Sequence, residues 1–177
     1  MNLYVIRHGQ TDENVNGLIN AWNEHKLNEV GIEQANAMKE EIAKINLDVI
    51  ICSPLKRTKQ TCEIINKNNV KVIYDERLIE RNAGKMQFEP VTKLDRNLWH
   101  DITKEVVYED SEGMKSILRR VGSLIEDVKK EYKDKNVLFV THGDIARAIY
   151  VYLNNITDIG EITDFYQVNC EIRCYKI

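Results

Sequence analysis

Two apolar segments of this chain each lead into a histidine that is followed by a glycine. Residues 3–6 precede Arg7, His8 and Gly9, and residues 137–141 precede His142 and Gly143. Apolar runs that are rich in β-branched and aromatic residues predict buried strands. Because an open α/β sheet holds its ligands beyond the carboxyl ends of its strands, both histidines are expected at one ligand-binding edge.

Further polar side chains fall at the ends of predicted strands or in the first turns of predicted helices. Together with the residues above they form the set Arg7, His8, Asn14, Ser53, Arg57, Glu80 and His142. Two arginines suit the paired donors that a phosphate accepts, and helix N-termini after Ser53 and Gly143 can point N–H groups at the same anion. A histidine can attack phosphorus, and a carboxylate can protonate the leaving oxygen. The set therefore predicts phosphoryl transfer without a metal.

The order of the predicted elements is typical of an α/β protein. Strands are predicted at 3–6, 47–52, 70–74, 137–141 and 165–177, and helices at 29–45, 55–67, about 112–128 and 144–153. Asn28, Ser53 and Ser111 are predicted to cap the first three helices. The alternation predicts a three-layer sandwich, with helices on both faces of a mostly parallel sheet and the last strand antiparallel at an edge. For 177 residues we expect one domain, 1–177, with a small insertion at about 75–109 that could cover the site.

The overall composition narrows the range of partners. The chain is 43% apolar and 30% charged, which is typical of a globular rather than a disordered protein. Its net charge of −3 gives no general attraction to nucleic acid or to an anionic membrane, so an anion site must be a local basic cluster. No apolar stretch approaches the roughly 20 residues of a membrane span, and no signal peptide precedes Arg7. We therefore expect no membrane partner and a cytoplasmic location, and a homodimer is left open.

Segments along nearly the whole chain carry a resemblance to a known family. They are residues 7–11 with Asn14, residues 27–35, residues 53–61, Leu78 to Glu80 with Gly84, residues 140–143, and Asn169 with Cys170. In sequence and in order they are similar to the signature of the histidine phosphatase superfamily, the phosphoglycerate-mutase-like proteins. The resemblance implies a phosphoglycerate-mutase-like fold and a phosphatase from the small branch of the family, which needs neither a metal nor a cofactor. The implied partner is a small-molecule phosphomonoester.

The resemblance also implies roles for the matched residues. His8 attacks phosphorus and becomes phosphohistidine, and Glu80 protonates the leaving group and then activates the water that cleaves the phosphoenzyme. The phosphoryl oxygens are held by Arg7, Asn14, Arg57 and His142, together with the helix start at Gly143. Because His8 must attack through an unprotonated nitrogen, its other nitrogen should donate to a backbone carbonyl. His142 is expected to act protonated, as a donor to developing charge.

The proton donor has an alternative in the sequence. Glu80 is flanked by Arg77 and Arg81 and could form a salt bridge instead. In that case Asp144, two residues after the second histidine, is the alternative acid. His100 matches no motif and is expected to be an ordinary loop or surface residue.

Two other functions are compatible with the same pocket. A phosphoglycerate mutase would use the same first step but return the phosphoryl group to a sugar acid, and a non-catalytic module would only bind a phosphorylated ligand. The short chain favours hydrolysis over the mutase. The presence of both His8 and Glu80 argues against the binding module, which needs neither a nucleophile nor an acid. Departures from the family at Ala21, Glu24 and residues 85–88, near the implied entrance, leave the substrate open.

Overall fold

A five-stranded sheet forms the centre of the computed structural model, which describes residues 1–177. Its strands in chain order are β1 (Asn2–Arg7), β2 (Val49–Cys52), β3 (Val72–Tyr74), β4 (Asn136–Thr141) and β5 (Ile172–Lys176). The order across the sheet is β3-β2-β4-β1-β5, and only β5 runs antiparallel to its neighbour. Arg7 pairs in register with Thr141, so the residues that follow β1 and β4 leave the sheet side by side.

Helices cover both faces of this sheet. They are α1 (Asp12–Val15), α2 (Glu29–Ala43), α3 (Lys56–Ile65), α4 (Arg96–His100), α5 (Met114–Glu131), α6 (Gly143–Asn154) and α7 (Ile159–Asp164), with short 3₁₀ helices at Glu76–Leu78, Gly84–Met86 and Val91–Lys93. One face packs on α5 and α6 through 18 buried apolar residues, and the other packs on α2 and α3 through 10. The predicted three-layer α/β sandwich is confirmed. None of the helices is both long and apolar enough to cross a membrane.

Helix α5 shows how the spacing of apolar residues fixes the layers. Met114, Ile117, Val121, Leu124 and Ile125 recur every three or four residues, and all of them are buried in the larger core cluster. Burying one such side chain contributes about 1.5–3 kcal/mol. This face holds β1 and β4 in place, and with them the polar residues that follow each strand.

Two predicted helix caps are wrong because each serine hydroxyl has found another partner. α3 begins at Lys56 rather than directly after Ser53, whose Oγ lies 2.7 Å from Nε2 of His142. α5 begins at Met114, and Oγ of Ser111 donates instead to the carbonyl oxygen of Tyr108, at 2.8 Å. A serine that can bond either a helix end or another group is not assigned by local sequence alone.

The last predicted strand is shorter than expected. Residues 165–171 do not join the sheet, and β5 starts at Ile172. The reason is that two side chains in this stretch bond to β1 and its loop: Gln167 donates to the carbonyl of Val5 at 3.0 Å, and Asn169 donates to that of His8 at 2.8 Å. α1 and α7 are further additions, since both lie where no helix was predicted.

The loop after β1 passes α2 with backbone against backbone. A Cβ atom at Gly9 would lie 2.4 Å from the carbonyl oxygen of Gly31, and one at Gly31 would lie 2.1 Å from that of Gln10. Asn28 caps α2 as predicted, because its Oδ1 accepts from the Gly31 N–H at 2.9 Å. Glycine at both positions thus lets α2 hold the backbone beside His8.

The substitution Gly9→Ala is expected to lower the free energy of unfolding by about 3 kcal/mol, because a backbone carbonyl cannot retreat far from the added methyl group. Urea denaturation measures this change. Gly160→Ala is the control: near its added Cβ lies only a side-chain oxygen of Asp158, at 3.1 Å, and we expect a change below about 0.5 kcal/mol. Equal stability of the two variants would contradict a tight contact at Gly9.

Candidate active site

The carboxyl end of the sheet opens into a cleft of about 490 Å³. Of the predicted site residues, those that line it are Arg7, His8, Asn14, Glu80, Gly143 and Asp144. Arg57 and His142 are fully buried and lie against His8, with Nε of Arg57 at 3.2 Å and the His142 ring centroid at 5.2 Å. The structure therefore brings all the predicted residues together at one end of β1 and β4.

His8 is held in a single tautomer by its two neighbours. Its Nδ1 lies 2.7 Å from the carbonyl oxygen of Gly9, which can only accept, so Nδ1 carries the proton. Its Nε2 lies 3.2 Å from Nε of Arg57, which can only donate, so Nε2 presents a lone pair. Burial lowers the pKa of His8 well below its ordinary value, and Arg57 and Arg7 add to this effect. The predicted contact with a backbone carbonyl is present, and His8 is neutral and nucleophilic at Nε2.

Arg57 is fixed by backbone carbonyls on the loop that follows α1. Its Nη1 donates to the carbonyl of Asn23 at 3.0 Å and its Nη2 to that of Ala21 at 2.8 Å. Ala21 has a left-handed backbone, with φ of 46°, a conformation that favours glycine. Burial lowers the pKa of Arg57 to about 10, so the guanidinium stays charged at neutral pH.

The N-terminus of α3 does not serve the anion site, contrary to expectation. The backbone N–H of Lys56, the first residue of α3, donates to a carboxylate oxygen of Glu24 at 3.0 Å. α6 differs, because its N-cap residue, His142, makes no side-chain capping bond. The start of α6, at Gly143, lines the cleft and has no side-chain cap, so its first N–H groups are available to an anion.

His142 is neutral rather than protonated in this arrangement. Burial lowers its pKa well below its ordinary value, and the charge of Arg57 lowers it further. Nε2 is engaged by Ser53, while Nδ1 is buried without a partner. If the Ser53 hydroxyl donates to Nε2, Nδ1 must carry the proton, and a neutral His142 can still donate to an anion. The expectation of a protonated His142 is therefore replaced by that of a neutral donor.

Arg7 and Asn14 are the remaining predicted phosphate ligands, and both line the cleft. Nη1 of Arg7 donates to the carbonyl of Gln167 at 2.8 Å, and its Nε is buried without a partner. Arg7 also lies against the start of α6, since a Cβ atom on Gly143 would be 3.7 Å from its guanidinium carbon. The side-chain oxygen of Asn14 accepts from the backbone N–H of Thr11 at 3.1 Å, which leaves its NH₂ group to donate into the cleft.

Glu80 has the environment of a proton donor rather than of a salt bridge. Burial raises its pKa and the charge of Asp144 raises it further, against a hydrogen bond of 2.9 Å from the backbone N–H of Arg81. The flanking arginines bond elsewhere: Arg77 pairs with Asp75 at 2.7 Å, and the Arg81 guanidinium donates to carbonyl oxygens. The salt-bridge alternative for Glu80 is therefore wrong.

Asp144 has the opposite environment. One of its oxygens accepts from the indole N–H of Trp99 at 2.9 Å, and the other pairs with Arg147. Burial alone would raise the pKa of Asp144, but Arg147, Arg81 and His100 together lower it below the ordinary value. Two neighbouring carboxyl groups with pKa values pushed apart divide their roles, and the ionised one cannot donate a proton. Asp144 therefore orients cations, and Glu80 is the candidate acid.

Part of the cleft wall consists of residues that were not predicted from the sequence. His100 is only 5% exposed and lines the cleft, so the expectation of an ordinary surface residue is wrong. Arg81, Arg96 and Arg147 line it as well. The signal that could have found two of them is the i, i+4 spacing of Arg96 and His100, which places both on one side of a short helix.

Comparison with known proteins agrees with this geometry. Among solved structures, a mycobacterial glucosyl-3-phosphoglycerate phosphatase complexed with VO3 has a TM-score of 0.87 at 23% identity, over 98% of this chain and 91% of that one, and thus shares the fold. The family model "Histidine phosphatase superfamily (branch 1)" matches residues 3–177. The chain belongs to the histidine phosphatase superfamily.

Two curated relatives lie close to the chain in sequence. Phosphoserine phosphatase 1 of Hydrogenobacter thermophilus is 30% identical over 99% of this chain and 84% of its own length. A 2,3-bisphosphoglycerate-dependent phosphoglycerate mutase of Thermoplasma acidophilum is 31% identical over 84% of this chain and 74% of its own length. The predictions of the family and of a phosphatase are confirmed.

Proposed function

We propose that this protein hydrolyses small phosphomonoesters without a metal ion, through a phosphohistidine on Nε2 of His8. The observation that carries the proposal is the fixed tautomer of His8, whose Nδ1 proton is bound to the Gly9 carbonyl while its Nε2 lone pair faces Arg57. A nucleophile with its proton already on the other nitrogen needs no separate base. The proposed residues are His8 and Glu80 as reacting groups and Arg7, Asn14, Arg57, His142 and Gly143 as phosphate ligands.

In the first step, Nε2 of His8 attacks phosphorus as the bond to the leaving oxygen breaks. Glu80, whose pKa is raised by burial and by the charge of Asp144, gives its proton to that oxygen. Charge on the equatorial oxygens is stabilised by Arg7, by Arg57 and by the N–H groups that begin α6. Arg57 gives up its hydrogen bond to His8 as the N–P bond forms, so its Nε–H becomes free for a phosphoryl oxygen.

In the second step, water takes the place of the leaving group. Glu80, now a carboxylate, accepts a proton from this water as its oxygen attacks phosphorus. The N–P bond breaks, inorganic phosphate is released, and His8 returns to its neutral form while Glu80 is again protonated. One carboxyl group thus serves as acid and then as base, which requires that its pKa lie above the usual range for glutamate.

The same first step would also serve a phosphoglycerate mutase, and one of the two relatives above has that name. The two activities differ in whether water or a sugar acid takes the phosphoryl group from His8. We favour hydrolysis because the similarity to the phosphoserine phosphatase covers 99% of this chain. Phosphate release from 3-phosphoglycerate, measured beside its conversion to 2-phosphoglycerate, separates the two.

Turnover of p-nitrophenyl phosphate is expected to be unchanged by excess EDTA. No group of three or more His, Cys, Asp or Glu side chains in the structure is placed to hold a metal ion. In the proposed mechanism, Arg7 and Arg57 stabilise the charge on the phosphoryl oxygens, as a metal ion does in metal-dependent enzymes. Nitrophenolate release with and without EDTA measures this. Activity that EDTA removes and Mg²⁺ restores would contradict the mechanism, and binding of phosphate without any turnover would favour the binding module.

The domain organisation and the cellular location of the enzyme are inferred from other observations. We propose that residues 1–177 act as one domain in which the insertion at 75–109 supplies a wall of the cleft, since Glu80, Arg96 and His100 line it. A cytoplasmic location is supported by Cys52, Cys62 and Cys170, which are buried as free thiols. A homodimer stays a prediction.

A further inference from the structure

Next to the phosphate-facing residues, the cleft carries a second set of basic side chains that the mechanism does not use. The set, called the cationic wall below, consists of Arg81, Arg96, His100 and Arg147. All four line the same cleft as His8 and Glu80. Because the whole chain has a net charge of −3, this concentration of basic groups is a local feature.

The buried members of the wall are not fully satisfied within the chain. Arg81 is 1% exposed and stacks on Trp99, with its guanidinium carbon 3.4 Å from the ring centroid. Its Nε and Nη1 donate to carbonyl oxygens, but its Nη2 has no partner, and Nδ1 of the buried His100 has none either. A buried polar group without a hydrogen-bond partner destabilises the folded protein. The wall is therefore maintained against a stability cost.

The carboxylates around the wall do not neutralise it. Asp144 pairs with Arg147 and lies 3.8 Å from Nη1 of Arg81 and 3.9 Å from Nε2 of His100. Arg96 donates to a backbone carbonyl in α7 and forms no ion pair. Three guanidinium groups thus face one ionised carboxylate.

Two further carboxylates act on Arg81 from a distance. Glu112 is committed to Arg120 through two hydrogen bonds of 2.9 Å, and Glu80 has its pKa raised toward the neutral form. Burial lowers the pKa of His100 to about 4, and repulsion by the three arginines of the wall adds to this against the charge of Asp144. A bound anion would relieve this repulsion.

We propose that the cationic wall binds a second anionic group of the substrate, a carboxylate or a second phosphoryl group, while the scissile phosphoryl group lies at His8. The planar guanidinium fork matches both anions. Arg96 is the exposed member of the wall and the one with a single tether, at 2.8 Å to the carbonyl of Thr163, so it has donors left for a ligand. The inference rests on the proposed function, since it takes the scissile end to be the one at His8.

Matched substrate pairs test this second site. For the carboxylate, kcat/KM for 3-phosphoglycerate is compared with that for glycerol 3-phosphate; for the second phosphate, fructose 1,6-bisphosphate is compared with fructose 6-phosphate. We expect the doubly anionic member of at least one pair to be preferred about tenfold or more, the usual size of a charge-assisted contact. The pair that shows the preference identifies the anion.

The variant Arg96→Gln should lower kcat/KM for the preferred compound about tenfold and change that for its partner by less than about twofold. Arg96→Lys keeps the charge and should restore part of the loss. Lys93→Gln is the matched control, because Lys93 is an exposed cation nearby that pairs with Glu89 and does not line the cleft. No preference in either pair, or a preference that survives Arg96→Gln, would overturn the proposal.

A failure of the proposed hydrolysis can be distinguished from a failure of the second anion site. If neither p-nitrophenyl phosphate nor any of the four compounds is hydrolysed, hydrolysis is wrong, and calorimetric titration of the same compounds still tests the wall. Tighter binding of the doubly anionic member, weakened about tenfold by Arg96→Gln, would support the second anion site in a protein that is not a phosphatase. Equal dissociation constants within both pairs would overturn it.

Discussion

Replacement of His8 by alanine is expected to lower kcat for p-nitrophenyl phosphate by roughly four to six orders of magnitude, as removal of the nucleophile does in enzymes that form covalent intermediates. No other group can take over the attack, because His142 has its Nε2 engaged by Ser53 and lies 5.2 Å from His8 between ring centroids. Phosphate release in the steady state measures the loss. The denatured enzyme, quenched during turnover, should carry an acid-labile phosphoryl group in the wild type and none in the variant.

The control for this variant is His25→Ala. The His25 side chain is about half exposed, pairs with Glu13 and does not line the cleft, so its loss should leave kcat within about twofold. His8→Ala also leaves Nε of Arg57 without its partner, so thermal unfolding must show that the variant is folded before its activity is read. Turnover of the folded His8→Ala variant at more than about a hundredth of the wild-type rate would contradict the phosphohistidine mechanism.

Both histidines at the strand ends could be found from sequence, because the signal is local. Each follows an apolar run that is typical of a buried strand. In an open α/β sheet, ligands bind beyond the carboxyl ends of the strands. Their roles came from the resemblance, and the contact of His8 with a backbone carbonyl was predicted from the chemistry of a nitrogen nucleophile. The neutral state of His142 could not be predicted, because it depends on burial and on the guanidinium of Arg57, which reaches it from another layer.

The cationic wall could not be predicted because its members come from separate elements. Arg96 and His100 lie in α4, Arg147 lies in α6, and Arg81 follows a 3₁₀ helix. Their juxtaposition depends on contacts such as that of Arg96 with the Thr163 carbonyl in α7, a helix with no sequence signal of its own. The predicted cap at Ser53 failed for a related reason, because the partner of Ser53 is 89 residues away. Non-local pairing decides these positions, and hydrophobic periodicity carries no information about it.

The division of roles between the two carboxylates leads to the second large effect. Glu80→Gln keeps the shape of the side chain but removes the proton, so kcat for an alkyl ester such as glycerol 3-phosphate should fall by about 10²- to 10⁴-fold. The poorly basic leaving group of 2,4-dinitrophenyl phosphate needs no proton. With that ester, Glu80→Gln should release a rapid burst of dinitrophenolate equal to the enzyme concentration and then turn over slowly, because the second step lacks its base.

The pH dependence of kcat/KM provides a second test of Glu80 as the proton donor. The proposed mechanism requires neutral His8 and protonated Glu80. The pKa of His8 is lowered and that of Glu80 is raised, and both shifts favour the required protonation states. As the pH rises through the pKa of Glu80, the acid is lost, and kcat/KM for the alkyl ester should decline. Glu80→Gln should abolish this decline, while ionisation of the substrate affects both enzymes equally.

Asp144→Asn is the matched control, since it turns the neighbouring carboxylate into an amide, as Glu80→Gln does at Glu80. Asp144 is already ionised by its contacts with Arg147, Arg81 and His100, so it has no proton to give. The variant should keep the decline of kcat/KM at high pH and show no burst. Removing the Asp144 charge also removes one of the causes that raise the pKa of Glu80, so the decline should move to lower pH. If the decline instead vanished in Asp144→Asn and persisted in Glu80→Gln, Asp144 would be the acid, and the assignment of roles would have to be reversed.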